Sequence, residues 1–259
     1  MVKGIIIAAG MGRRLGALTT DRPKCTLPIA NSTIIEHQLA ALESAGISDV
    51  SVVTGFAYHW LERYPVRRFH NAMFRSNNVL ASLMFARSEL DDDVLILYSD
   101  IVFDYRVIRH AAGLRDEFSV VVDSEWQDSY VGRTDHPFSE AEKAVVDGGR
   151  VHRIGKHVPA ELASAEFTGV LRLSSSGCRT WVSLFDELNH RDTGQGFQQA
   201  ESLQHAYLTD MLQELIDRGH DVQAHEVDGA WMEIDTQQDY ARAKKRFGER
   251  KDDDGHLGH

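Results

Sequence analysis

The chain has 259 residues, 42% hydrophobic and 26% charged, an ordinary composition for a globular protein of one large α/β domain. Its formal net charge of -11 argues against general nucleic-acid binding, because phosphate backbones attract basic surfaces. Cys25 and Cys178 stand far apart with no metal-like spacing, which argues against a disulfide framework or a zinc site.

The first element is the short β-branched run at residues 4–9, the mark of a strand buried on both faces. It starts too close to the N-terminus to follow a charged-then-apolar leader, and no apolar run approaches a membrane span. A cytoplasmic protein without membrane contact is therefore expected. A glycine-rich loop comes next, then an amphipathic helix over 33–44, where Ile34, Ile35, Gln38, Leu39 and Leu42 keep helical spacing and Gly46 follows the end. Strands are predicted at 50–54, 94–98 and 118–123, an edge strand near 66–69, and helices near 58–63, 78–88 and 107–113. This alternation predicts a single-domain, mostly parallel, Rossmann-like sheet with helices on both faces.

From residue 142 the pattern changes. Residues 142–155 read as a hairpin turning at Asp147-Gly148-Gly149, a small lid-like insertion. A strand at 167–173, helices at 177–189 and 202–218, strands at 221–226 and 232–234, and a helix at 236–247 complete the domain at 1–248. Residues 249–259, acidic and almost without apolar side chains, read as a disordered tail.

The loop Ala8-Ala9-Gly10-Met11-Gly12-Arg13-Arg14-Leu15-Gly16 follows the first strand directly. Its glycines let backbone N–H groups approach an anion. A dinucleotide fingerprint would place glycine where Leu15 stands, and a P-loop would place Lys-Ser or Lys-Thr after the second glycine. On the loop alone, a tight turn without a ligand stays open. In an acidic chain, handling a triphosphate requires local positive charge, and Arg13, Arg14, Arg22 and Lys24 supply it.

The loop together with Arg22-Pro23-Lys24 and Leu27-Pro28 resembles the signature of the nucleotidyltransferases that activate sugar phosphates and phosphocholine. The resemblance implies that the loop wraps a triphosphate, with Arg13 or Arg14 and Lys24 on phosphate oxygens and Arg13 and Lys24 in the catalytic role. An acceptor oxygen would attack the α-phosphorus while pyrophosphate leaves, so positioning and positive charge do the work. It also implies magnesium. Asp100 closes the strand at 94–98, where ligands bind in α/β sheets, although an aspartate there can equally cap a helix. Trp231-Met-Glu-Ile-Asp-Thr236 resembles the family's late acidic segment, which would complete the metal site through Glu233 and Asp235, with Asp235 slightly favoured. Two residues apart in a strand, these acids face the same side. Either Asp235 or Thr236 is instead suited to cap the last helix.

Asn77, Asn78 and Ser82 resemble the phosphocholine and phosphonate cytidylyltransferases more than the sugar-1-phosphate branches, and so does Tyr98-Ser-Asp-Ile-Val-Phe103. Amides and hydroxyls read a pyrimidine edge, so CTP is the expected nucleotide; the two asparagines also suit a helix cap. Lys156 falls where the family holds the acceptor's phosphate or phosphonate, and Glu166 and Gly169 lie in another resembling stretch. A cationic head group attracts aromatic faces and carboxylates, for which Trp126, Asp128, Tyr130, Glu140 and Trp231 are candidates. The expectation is a cytidylyltransferase acting on CTP and a small phosphonate or phosphate-ester acceptor, 2-aminoethylphosphonate first. A UTP- or dTTP-dependent sugar-1-phosphate enzyme and a non-catalytic nucleotide sensor are the alternatives. The oligomeric state is open, a homodimer among the options.

Overall fold

The computed structural model describes residues 2–191 and 194–248, so the expected tail at 249–259 lies outside the described residues. The chain opens with β1 (Lys3–Ala8), the ribbon of β2 (Pro28–Ile29) and β3 (Ser32–Thr33), and helix α1 (Ile34–Ser44). Then come β4 (Val50–Thr54), β5 (Arg67–His70), α2 (Val79–Leu83), β6 (Val94–Tyr98), β7 (Ile101–Phe103), α3 (Tyr105–Gly113) and β8 (Phe118–Asp123). The second half holds α4 (Trp126–Ser129), β9 (Lys143–Asp147), β10 (Arg150–Gly155), β11 (Ala165–Leu173), α5 (Ser175–Arg191), α6 (Leu208–Asp217), β12 (Val222–Val227), β13 (Trp231–Glu233) and α7 (Gln237–Gly248).

Among the described residues, nine strands make one sheet in the order β5-β4-β1-β6-β11-β8-β12-β10-β9. β1 lies between β4 and β6, parallel to both. Its isoleucines alternate between two cores: Ile5 and Ile7 pack with α2, α5 and α6, and Ile6 packs with α1 and α3. Burial on both faces explains the unbroken apolar run. Helix α1 starts on a capping box, Thr33 with Glu36, and Gly46 follows its end at φ 79°, a left-handed conformation glycine adopts without strain.

The sheet is mixed rather than mostly parallel. β11 runs antiparallel to both β6 and β8 at its centre. A parallel neighbour needs a crossover that carries the chain back to the far end of the sheet. Here β9 runs parallel to β8 and β10 parallel to β11, and the reversal between them is the β9–β10 hairpin. The hairpin turns on Gly148 and Gly149, both at positive φ, and it is joined to the sheet through β11 and β12.

Two predicted helices are shorter than expected. Instead of one helix over 202–218, a 3-10 turn at Leu203–His205 is followed by extended Ala206 and then α6, because the carbonyls of Gln204 and Ala206 accept from Asn78 N and Leu80 N of the α2 entry. The segment 78–88 is α-helical only over α2 and continues as a 3-10 stretch, Met84–Glu89, with a kink at Ala86. The strand predicted at 232–234 is β13, and it pairs outside the main sheet, antiparallel to β7. A small core of Leu15, Leu27, Ile29, Ile34, Val102, Ile234 and Ala243 ties the first loop to the C-terminal segment. No helix among the described residues is long and apolar enough to cross a membrane.

Candidate active site

A pocket of about 370 Å³ opens at the carboxyl ends of β1 and β6, where parallel strands present ligand sites. One wall is the first loop: Ala8, Ala9, Gly10, Gly12, Arg13 and Arg14 line it, while Met11 does not. Gly12 sits at φ 59°, and a Cβ there would come 3.3 Å from Lys24 Cβ, so glycine lets the loop turn against the lysine. Thr19 Oγ1 fastens this turn by donating to Gly12 O at 2.8 Å.

Lys24 is the hub. Its ammonium donates to Asp100 Oδ2 at 2.7 Å and to Asp235 Oδ1 at 2.5 Å. Arg14 reaches Asp235 Oδ2 at 2.5 Å and Glu140 at 3.5 Å. Burial alone would raise the Asp235 carboxyl, but Lys24 and Arg14 outweigh it and hold the group well below the usual carboxylate range. Asp100 meets Asp235 because Asp100 leads into β7, β7 pairs with β13, and Ile234 N donates to Asp100 O at 2.9 Å. The turn carrying Asp100 is braced by buried Gln38 of α1, whose Nε2 donates to Tyr98 O and Ile101 O, each at 2.8 Å. Asp100 Oδ1 is buried with no hydrogen-bond partner.

Thr236, not Asp235, caps α7: its Oγ1 accepts from Asp239 N at 3.1 Å while Asp239 Oδ2 accepts from Thr236 N at 2.9 Å. That leaves Asp235 free to face the pocket, with Glu233 beside it. Burial, then the charges of Asp235 and Asp100, push the Glu233 carboxyl well above its ordinary value. Of the two acids, Asp235 therefore carries the charge. Sequence reading missed the surroundings of this pair. Arg133, almost fully buried, binds Asp239 at 2.6 Å and Glu233 at 3.4 Å. His136, also buried, lies beside both acids, and burial with the nearby Arg133 lowers its imidazole to about 4.

The polar wall opposite the loop is organised by a residue the sequence did not single out. Asn71, fully buried, donates at 2.9 Å to Asn77 Oδ1 and at 2.9 Å to Ser82 Oγ. Asn77 and Ser82 thus hold fixed orientations on the pocket. Asn78 lines it too, but its side chain is engaged: Oδ1 caps α2 through Val79 N, and Nδ2 donates to His205 O at 3.0 Å.

The remaining side is rich in carboxyls. Lys156 binds Glu140 at 3.1 Å and lies 4.3 Å above the Tyr207 ring. Glu140 is thereby committed to Lys156 and Arg14. Glu166 lines the pocket from β11; Tyr130 donates to its Oε1 at 2.7 Å, and its Oε2 is buried without a partner. Burial pushes Glu166 up to about 7. It does the same to Glu142, also at about 7, which accepts from Thr209 at 2.7 Å and from the Tyr98 hydroxyl at 3.2 Å. Glu142, Tyr98 and Tyr207 line the pocket unforeseen. Gly169 lines it at φ 83°, and the space of a Cβ is already taken by the Tyr98 ring, 2.9 Å away. Trp231 contributes a wall, held by its indole N–H donating to buried Asp123 at 2.8 Å.

Two expected aromatics are not on the pocket. Trp126 is 1% exposed and Tyr130 5%; they pack with Phe138 and Ala141 behind the wall, because α4 turns its apolar side inward. Tyr130 reaches the pocket residues through its hydrogen bond to Glu166. Asp128, on the outer side of α4, does not line the pocket either.

Comparison with known proteins follows the same lines. Residues 4–171 match the pattern of the MobA-like NTP transferase domain. The chain is 29% identical over 250 residues, 92% of this chain and 97% of the other, to the CTP:phosphoglutamine cytidylyltransferase of Campylobacter jejuni. It is 32% identical over 127 residues, 46% of this chain and 20% of the other, to the CMP-5'-(3-aminopropyl)phosphonate synthase of Streptomyces rubellomurinus. The solved structure of CTP:phosphocholine cytidylyltransferase from Streptococcus pneumoniae shares the fold, with a TM-score of 0.74 and 24% identity over 95% of this chain and 98% of that one.

Proposed function

The chain belongs to the MobA-like NTP transferases, enzymes of nucleotidyl transfer, and on that footing we propose that it moves CMP from CTP to a small phosphonate or phosphate-ester acceptor. The observation that carries the proposal is Lys24, held between Asp100 and Asp235 at the floor of a pocket with a neutral amide wall on one side and Lys156 on the other. A cation surrounded by carboxylates has ready partners without substrate and exchanges them for phosphate oxygens when a triphosphate enters.

In this reading the amides of Gly10 and Gly12 and the side chains of Arg13 and Arg14 receive the triphosphate, and Asn77 and Ser82 read the cytosine edge. Lys156 holds the acceptor's phosphonate or phosphate. One of its oxygens forms a bond to the α-phosphorus, the bond to the bridging oxygen breaks, and pyrophosphate departs with that electron pair. Lys24 and Arg14 face the charge that grows on the departing and non-bridging oxygens. No protein nucleophile is required.

A divalent ion fits the residues present. Hard oxygen donors suit magnesium, Asp235 is ionised, and Asp100 Oδ1 is a buried acceptor with nothing bound to it. Asp100 and Asp235 would hold the ion, which supplies charge neutralisation on the phosphate oxygens.

The acceptor reading favours a cationic head group, with 2-aminoethylphosphonate the first candidate. Glu166 presents an unpartnered buried oxygen to the pocket and Glu142 lies beside it, an arrangement suited to an ammonium. The relatives named for phosphoglutamine and for an aminopropylphosphonate conjugate support an acceptor that joins a phosphorus oxyanion to an amine-bearing chain. Pyrophosphate release measured across CTP, UTP, dTTP, ATP and GTP, each with 2-aminoethylphosphonate, phosphocholine and glucose 1-phosphate, tests the proposal. Turnover with CTP and an amine-bearing acceptor is expected. Turnover confined to UTP or dTTP with the sugar phosphate contradicts it.

A further inference from the structure

His136 has no use in the chemistry described so far, and its setting is unusual for a buried side chain. The ring is 1% exposed, and neither ring nitrogen has a hydrogen-bond partner. A buried imidazole ordinarily gives one N–H to an acceptor and offers its other nitrogen to a donor, so two empty nitrogens leave its desolvation uncompensated. The ring is bounded on one side by Tyr130, whose ring meets it at 6.0 Å in an edge contact. Its nitrogens face two carboxylates. Nδ1 lies 3.5 Å from Asp235 Oδ2 and Nε2 lies 3.7 Å from Glu233 Oε2, and neither contact is a hydrogen bond.

One ligand atom from each of His136, Glu233 and Asp235 lies within 4.8 Å of the other two. We propose that these three side chains bind a divalent first-row transition-metal ion, at a site distinct from the all-oxygen end marked by Asp100. The two oxygens of Asp235 separate the sites: Oδ1 turns to Lys24 and thence to Asp100, and Oδ2 turns to His136. The donor set decides the class of ion. An imidazole nitrogen with two carboxylates suits manganese, cobalt or zinc, whereas magnesium prefers oxygens and water. The local charge also admits a cation. Asp100, Asp235 and Asp239 balance Lys24, Arg14 and Arg133, and a bound cation would favour the ionised form of Glu233 as a fourth carboxylate. Arg14 shares Asp235 Oδ2 with the proposed ion, and a triphosphate gives that guanidinium a second partner.

The proposal adds a metal to the site read above as a CMP-transfer centre, but it is tested without nucleotide, so each reading can fail alone. Full-length, nucleotide-free protein is titrated with Co²⁺ and followed by its visible absorption. The expected result is saturable binding that a hundredfold excess of Mg²⁺ does not reverse. Affinity should drop by about tenfold or more in His136→Asn and persist in Asp100→Asn. Should His136→Asn fail to fold, Glu233→Gln is expected to show the same loss. Pulsed electron paramagnetic resonance of Mn²⁺ bound to the wild-type protein is expected to show coupling to a histidine nitrogen. Equal Co²⁺ affinity in wild type and in a folded His136→Asn or Glu233→Gln variant would overturn the proposal. Mn²⁺ bound without nitrogen coupling would overturn it as well.

Discussion

The ammonium of Lys24 lies 2.5 Å from Asp235 Oδ1, a contact between residues 211 positions apart in the chain. The contact depends on the small core that packs Leu15 and Leu27 of the N-terminal segment against Ile234. Sequence proximity does none of this; the docking of the C-terminal segment does.

Lys24→Met leaves Asp100 and Asp235 facing each other without their shared cation. Breaking a buried ion pair from one side costs about 3–5 kcal/mol. A loss of that order is expected in urea denaturation, together with loss of nucleotidyl transfer. Asp235→Asn, which leaves Lys24 its bond to Asp100, should destabilise less.

Asn71 touches no pocket space yet orients two residues that do. Asn71→Ala removes its bonds to Asn77 and Ser82, worth about 1–3 kcal/mol in stability. The informative readout is selectivity. On the proposed reading, the preference for CTP over UTP should narrow, because Asn77 and Ser82 lose fixed orientations; an unchanged preference would remove them from base reading.

Gln38→Leu tests the brace behind Asp100. The change strips the carbonyls of Tyr98 and Ile101 of a shared donor but also removes an Oε1 that has no partner. A net loss of about 2 kcal/mol is expected. Turnover should fall more than CTP affinity, since the turn that loosens carries Asp100 rather than the base wall.

Glu166 gives the fold a pH dependence of known sign. Its folded value, about 7, lies above the ordinary 4.5. The stability it contributes is fully present below about 4.5 and is lost as pH rises through about 7, as the buried carboxyl ionises. Glu166→Gln stays neutral throughout. Near pH 4.5 the two proteins should be similarly stable, and at pH 8 the variant should be the more stable by about 3 kcal/mol. Denaturant melts at both pH values check this. Equal stability at both would mean that Glu166 titrates normally.

Much of the pocket is legible in the sequence, part of it from residue chemistry and part from resemblance to a family. The glycine loop declares itself through residues that let backbone N–H groups approach an anion, whereas Lys24, Asp100 and Asp235 stand out through their resemblance to family motifs, position alone leaving Asp100 equally suited to cap a helix. Asn77 and Ser82 stand out through the same resemblance, with side chains able to donate and accept. His136, Arg133 and Glu142 do not, since they lie in or beside an irregular stretch between α4 and β9, where no periodicity marks a residue as facing inward. The reading of Trp126 and Tyr130 failed because an aromatic near a site and an aromatic behind it look identical in sequence. The antiparallel course of β11 was hidden for a comparable reason. A buried apolar run specifies a central strand but not its direction, which the preceding hairpin decides.

The most direct test of CMP transfer is ³¹P NMR of the full-length protein with CTP, Mg²⁺ and 2-aminoethylphosphonate. The expected result is a new pair of coupled phosphorus signals, one phosphate and one phosphonate, growing with free pyrophosphate and absent with Asp100→Ala. CTP that stays intact with this acceptor, with phosphocholine and with an amine-bearing phosphoramidate would contradict it.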